Sequence, residues 1–318
     1  MWNHALFKSL LFLSAGSVIH AVHTREIDHL GGLAKPMPWT ALCFLIGAVA
    51  ICGLPPLNGF VSELLIYLGL FRTLGIGGSS SWAAAAFAVP ALAWIGALAV
   101  ACFVKVYGAV FLGVRRSEQI PQGRESGFLM ILPMVVLVGA CVVIGLAPAI
   151  VAPLLEQGIV AWTGEPIGAE FSLAAVAPLT WVSFTGLLLI ALVFGGSVLL
   201  RTRASLGTAR QAAVTWGCGY VAPTPRMQYT SSSFAQMLVE MFAWALRPKK
   251  EKPRVQGIFP ASSQFHSHVA DTVLEQGVWP VTRLLVQASS WLRVFQQGSI
   301  QAYLLYIFGI LILLLFWR

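Results

Sequence analysis

The chain has 318 residues, of which 58% are hydrophobic and 10% charged, with a mean hydropathy of +0.80; soluble domains carry about 25% charged residues, so the composition argues against a water-soluble fold. The formal charge of +8 does not point to nucleic acid, because the basic residues fall at the ends of apolar runs or in one long polar segment, as membrane topology requires. The five cysteines, Cys43, Cys52, Cys102, Cys141 and Cys218, are scattered, four of them in apolar runs where a thiol behaves as a small hydrophobe, and they indicate neither a disulfide framework nor a metal site.

A helix crosses a bilayer with about 17 to 25 apolar residues. Six runs qualify: residues 4–22, 38–72, 84–113, 127–152, 174–200 and 297–317. They predict an all-α, polytopic transmembrane bundle. The second run is too long for one straight span and contains Gly53-Leu54-Pro55-Pro56-Leu57-Asn58-Gly59. Two prolines remove two backbone donors and clash with the preceding turn, so a helix break is expected there.

The distribution of Lys and Arg orients these runs. Loop 23–37 holds Arg25 and Lys35, loop 114–126 holds Arg115, Arg116 and Arg124, and eleven of the twenty basic residues lie in segment 201–296. The alternating loops, 73–83 and 153–173, hold none. With 38–72 crossing once, both termini lie outside the cytoplasm. Residues 1–200 are then five spans, 201–296 a cytoplasmic amphipathic segment and 297–318 the final span. Near the end of that segment Val281, Leu284, Leu285, Ala288, Trp291, Leu292 and Phe295 recur at helical spacing. Such a helix lies along the membrane surface or a neighbouring subunit, or else packs in a small cytoplasmic lobe.

Ionisable groups at membrane depth are expensive and usually line wet or proton-conducting paths. Lys8, Glu63 and Lys105 stand out, and Glu63 alone among the twelve acidic residues falls within an apolar run. It follows Gly59 by four residues, just beyond the break. Broken helices mark ion sites near the midplane, which makes Glu63 the first candidate for a proton carrier; the competing reading is a structural ion pair or a snorkelling side chain. Lys8, which precedes an apolar run close to the start methionine, could instead belong to a signal-peptide n-region. Lys105 lies ten residues before Arg115, too far to snorkel easily, and calls for a partner or a wet cavity. His4 and His20 can relay protons because imidazole titrates near neutral pH, though a lone histidine in an apolar helix is as often a packing residue. His4 ranks higher, being one turn before Lys8 on the same face. Lys8 and His4 are expected to turn toward the bundle interior, near Lys105 or the break.

The run Asn3-His4-Ala5-Leu6-Phe7-Lys8-Ser9-Leu10 through Val18 resembles the eleventh transmembrane helix of the antiporter-like proton-translocating subunits of complex I and related membrane-bound hydrogenases. Leu30-Gly31-Gly32-Leu33 and Leu54-Pro55-Pro56-Leu57-Asn58-Gly59-Phe60-Val61-Ser62-Glu63 resemble the following loop and the broken twelfth helix. Val104-Lys105-Val106-Tyr107-Gly108, Trp216-Gly217-Cys218-Gly219-Tyr220 and Arg226-Met227-Gln228-Tyr229-Thr230 resemble the branch of hydrogenase-4 component B and formate hydrogenlyase subunit 3.

The resemblance implies that Lys8, with His4 beside it, belongs to a central hydrophilic axis and that Glu63 stands near a proton exit. It also implies about ten further helices upstream carrying a first half-channel, so the chain is expected to be a truncated gene model, a split subunit or a degraded copy. The implied function is a membrane subunit coupling a redox reaction elsewhere in a complex to proton movement, in the inner (plasma) membrane, with no cofactor or metal of its own. Implied partners are membrane and redox subunits of a hydrogenase or complex I-like assembly, and a separate chain supplying the missing helices. A subunit of a multi-subunit sodium/proton antiporter and a purely structural anchor remain as rivals.

Overall fold

The computed structural model describes residues 1–76, 80–117, 121–164, 166, 168, 172–206, 228–251, 266–269, 271–295 and 298–317. The chain divides into two compact units, Met1–Phe234 and Ala235–Arg318.

The first unit is a helical membrane bundle. Helix α1 (Trp2–Val22) ends where His23 takes a left-handed conformation, its N–H donating to the Ile19 carbonyl. A short 3₁₀ turn, Ile27–His29, leads to α2 (Pro38–Ile51), which begins with proline at a position where no N–H is needed. Then come α3 (Asn58–Ile76) and α4 (Ser80–Val110). The expected fourth run, 127–152, is two helices, α5 (Phe128–Leu146) and α6 (Pro148–Thr163). Pro148 disfavours helical backbone at Ala147 and starts a new helix instead. The fifth run is divided in the same way. Pro178 separates the one-turn α7 (Leu173–Val176) from α8 (Leu179–Leu206). Among the described residues four helices are long and apolar enough to span a membrane: α1, α4, α5 and α8. Helix α2 is apolar but shorter, and α3, which carries Glu63 and Arg72, is not among the four.

Helices α1, α2 and α5 pack together around Phe7, Leu10, Cys43, Ala50, Leu57, Met134 and Cys141. A second cluster joins α1 and α2 to the end of α4 through Leu11, Val18, Val22, Phe44, Val110 and Phe111. Lipid is as apolar as leucine, so close van der Waals packing through small residues must hold such helices together. Gly47 lies under Leu10 and Leu11, and Gly145 lies against Pro56 and Leu57. At the loop end of the bundle, Gly32 and Ala34 donate to the Leu112 and Phe111 carbonyls, each at 2.9 Å, tying loop 23–37 to the end of α4. The start of the long polar segment joins the same frame. The Gln228 amide pairs with both backbone groups of Val114, Arg116 donates to the Tyr229 carbonyl at 2.7 Å, and Ser232 donates through its amide and hydroxyl to the Asp28 carboxylate.

The second unit holds most of α9 (Ser231–Met241), α10 (Ala243–Leu246), a π-helical turn Leu274–Val278, α11 (Trp279–Trp291) and α12 (Ile300–Phe316). Among the described residues its strands are confined to a ladder of two three-residue segments, β1 (Lys249–Glu251) and β2 (His266–His268), in which Lys249 pairs with His268. Segment 216–220 and residues Arg226 and Met227 lie outside the described residues.

Candidate ion path at the helix break

The break between α2 and α3 follows from its residues. Cys52 closes α2 on the Ala48 carbonyl, and Gly53 turns the chain with φ +63, a conformation in which a side chain is strained. Pro55 and Pro56, joined by a cis bond, carry the chain out of the helix. Leu57 then leads into Asn58, the first residue of α3. The two half-helices touch by backbone. A Cβ on Gly59 would run into the Ala50 carbonyl, and a Cβ on Gly145 of α5 would run into that of Pro56. Three glycines thus let the broken ends of α2 and α3 and the end of α5 approach more closely than any side chain allows.

Glu63 sits one turn beyond the start of α3, half-buried, with its carboxylate directly over Gly53, where a Cβ would collide with it. Among the described residues it makes no hydrogen bond or ion pair. Cys52 lies within electrostatic reach of this carboxylate and of Cys102 on α4. Asn58 is fully buried (0% exposed), its side-chain amide beside the Cys141 thiol of α5 and without any other hydrogen-bond partner among the described residues. Its carbonyl accepts from Asn3 Nδ2 at 3.0 Å and from Ser62 Oγ at 3.3 Å, tethering the start of α3 to the start of α1.

Within this chain Lys8 and His4 lie exposed on α1, with the His4 ring edge-on to Phe7 at 5.3 Å. The face of α1 that packs on α2 and α5 is Phe7, Leu10, Leu11, Ser14, Ser17, Val18 and Val22. His4 and Lys8 flank that stripe, each one turn before Phe7 and Leu11, at an edge that no described helix of this chain covers. His20 is also exposed, edge-on to His23 at 6.5 Å. Lys105 is half-buried on α4. Among the described residues no hydrogen bond or ion pair joins Lys8, Lys105 and Glu63. The structure thus brings Glu63 to Pro55, Pro56, Asn58 and Gly59, and does not bring Lys8, His4, His20 or Lys105 to them.

Two acidic residues outside the sequence-based set are engaged. Glu156 on α6 accepts from the Leu173 amide at 2.7 Å, which caps α7. Glu125, just before α5, reaches back to α2. Its carboxylate accepts from the Trp39 amide at 2.7 Å and the Thr40 hydroxyl at 2.5 Å. Thr40 in turn meets Ser17 of α1 at 2.9 Å, and Ser17 meets Ser126 at 2.6 Å. Ser17 and Thr40 are completely buried. A carboxylate and three hydroxyls therefore pin the beginning of α2 to α1 and α5. The sequence signal for this node was the placing of Ser14, Ser17 and Thr40 in apolar runs, but the acid that completes it is 85 residues from Thr40. Among the described residues no group of three or more His, Cys, Asp or Glu side chains stands close enough to hold a metal ion.

A helical membrane bundle built round a broken helix, with one carboxylate laid on the break, defines the class. Residues 1–86 match the family described as NADH:quinone oxidoreductase/Mrp antiporter, transmembrane. Over 328 residues the chain is 33% identical to hydrogenase-4 component B of Escherichia coli K12, covering 98% of this chain and 48% of that protein. Formate hydrogenlyase subunit 3 of the same organism is 33% identical over 248 residues, 78% of this chain and 39% of the relative. A Na(+)/H(+) antiporter subunit of Bacillus subtilis is 34% identical over 154 residues, 47% of this chain and 19% of the relative. The membrane-bound sulfane sulfur reductase, an archaeal respiratory membrane complex, has a chain of the same fold, with a TM-score of 0.60 at 22% identity over 98% of this chain and 46% of that one. The protein is an antiporter-like membrane protein related to hydrogenase-4 component B and formate hydrogenlyase subunit 3. It spans about half the length of the curated relatives it matches, 48% of the first and 39% of the second.

Proposed function

We propose that the chain contributes part of a proton path to a redox-driven membrane complex of the hydrogenase-4 or formate hydrogenlyase kind, the redox chemistry being carried by other subunits. The observation that supports it best is Glu63, a carboxylate without an ion pair among the described residues, laid against the backbone of a broken helix. Unwound backbone at membrane depth persists only where it is enclosed by protein or faces a cavity. A carboxyl group in such a place takes up and releases a proton as its surroundings change.

Lys8 and His4 enter the same reading through the uncovered face of α1. An ammonium facing lipid at mid-membrane costs about 2.5–3.5 kcal/mol. Further membrane helices, from another subunit or from more of the same protein, therefore cover that face and complete the path toward Lys105 and His20. Segment 201–296 stands on the cytoplasmic side of the inner (plasma) membrane, with 280–296 lying on the membrane or on a partner subunit.

The test is Glu63→Gln in the assembled complex. Proton translocation driven by the redox reaction should fall at least tenfold while the complex still assembles; unchanged translocation ends the proposal. The match to a sodium/proton antiporter subunit over 47% of the chain favours a second reading, exchange of sodium for protons. Sodium-dependent proton movement abolished by Glu63→Gln, in the absence of any redox partner, would select it. Proton and sodium movement both indifferent to Glu63 would leave a structural anchor.

A further inference from the structure

We propose that the groove between α1, the loop that follows it and the last turns of α4 seats one zwitterionic phospholipid, with an acyl chain along its apolar floor and the phosphate on Arg25. The groove has a volume of about 230 Å³, room for about eight groups of the size of a water molecule at roughly 30 Å³ each, and so for the upper part of an acyl chain. Its floor is Val18, Leu30, Phe44, Val110 and Phe111, all buried, and Ile19 at its edge is 36% exposed. Ala15, the lining residue of α1 farthest from the loop, stands seven residues before the helix ends at Val22, about 10 Å at 1.5 Å per residue. Both α1 and α4 are long and apolar enough to span a membrane, so this length of groove runs beside hydrocarbon.

Where α1 ends, the lining turns polar, with Thr24 and Arg25. Arg25 is exposed, and among the described residues its guanidinium makes no hydrogen bond or ion pair. The Thr24 hydroxyl oxygen accepts from the Glu26 amide at 3.2 Å, which leaves its hydrogen free to donate. A guanidinium fork beside a hydroxyl suits a phosphate ester. Glu26, next to Arg25, is exposed too, and its carboxylate has no partner among the described residues. Together with the carbonyl end of α1, this carboxylate disfavours a bare anion and favours a headgroup whose phosphate carries its own ammonium. An apolar protein segment could fill the floor, but it offers Arg25 no anion. A phospholipid supplies the chain, the phosphate and the ammonium in one molecule, at the depth where a helix leaves the hydrocarbon.

The experiment uses the full chain in a neutral detergent, with bound lipid counted by native mass spectrometry during titration with phosphatidylethanolamine. One molecule per chain should be retained in preference to a diacylglycerol of the same chains, which lacks the phosphate, and to phosphatidylglycerol, which lacks the ammonium. Arg25→Ala should weaken retention about fivefold, Arg25→Lys should restore most of it, and Arg293→Ala should leave it unchanged. Ala15→Leu, which puts a larger side chain into the groove, should weaken retention as well, with the melting temperature measured alongside to tell a filled groove from a lost fold. Equal retention of the diacylglycerol, preference for phosphatidylglycerol, or full retention in Arg25→Ala would each overturn the proposal.

Discussion

The two units of the molecule treat their apolar side chains in opposite ways. In Met1–Phe234 the apolar side chains of α1, α2 and α5 face one another, and the polar residues among them are bound into local networks such as Glu125–Thr40–Ser17–Ser126. In Ala235–Arg318 no described residue is buried, and Leu284 and Leu292 are 66% and 58% exposed. The hydroxyls of α11 are turned inward on their own backbone: Thr282 donates to the Val278 carbonyl at 2.8 Å, Ser289 to that of Leu285 at 2.7 Å and Ser290 to that of Gln287 at 2.7 Å. Hydroxyls satisfied by their own helix present little polarity to what surrounds them. The first unit builds its own interior, whereas the described helices of the second leave their apolar side chains exposed.

Substitutions that crowd the first unit should separate the two regions most strongly. In Gly145→Val the new side chain meets the backbone of Pro56 and Leu57, and no rotamer relieves a clash made by Cβ. A loss of about 3 kcal/mol is expected, seen as a large drop in melting temperature in detergent. Removing the cap of α2 by Glu125→Ala should cost about 2 kcal/mol, because the Trp39 amide and the buried Thr40 hydroxyl lose their acceptor. Ser17→Ala should cost less than half as much, since the Thr40–Glu125 contact survives it.

Asn58 sharpens the comparison in the other direction. A buried amide with only a thiol, a weak partner, beside it costs up to about 1–3 kcal/mol, so Asn58→Leu should raise the melting temperature of the bundle. If the break serves ion movement as proposed, the same variant should transport more slowly, and a variant that is both less stable and fully active would argue against any role for the amide. The smallest effect on bundle stability is expected in the second unit. Leu284→Glu should change unfolding of the bundle by less than about 0.5 kcal/mol, yet loosen attachment to the membrane or to a partner subunit, measured by extraction with mild detergent or by co-purification.

Much of this was legible in the residues. The apolar runs, the break at Pro55 and Pro56 and the isolation of Glu63 are properties of local composition, which survive any arrangement of the helices. The division of 127–152 into α5 and α6 was also written locally, in Pro148, but a run judged by hydropathy alone passes over a proline. Asn58 and Gly59 could be assigned to the break from sequence, whereas the contact of Gly53 with Glu63 and of Gly59 with Ala50 appears only when two half-helices are folded against each other.

What the sequence could not settle was direction around a helix. Helix α1 is apolar nearly all round, so no stripe announces which face is inside, and the inward assignment of Lys8 and His4 rested on the cost of charge in lipid. Within this chain, Gly47 opposite Leu10 and Leu11, and the hydroxyl of Ser17 opposite Thr40, set a buried face that Lys8 and His4 only flank. The Glu125 node likewise joins residues 85 positions apart. Hydropathy is a property of one segment and can be read along the chain, but the face a helix buries depends on the shape and hydrogen-bonding groups of the helices that meet it.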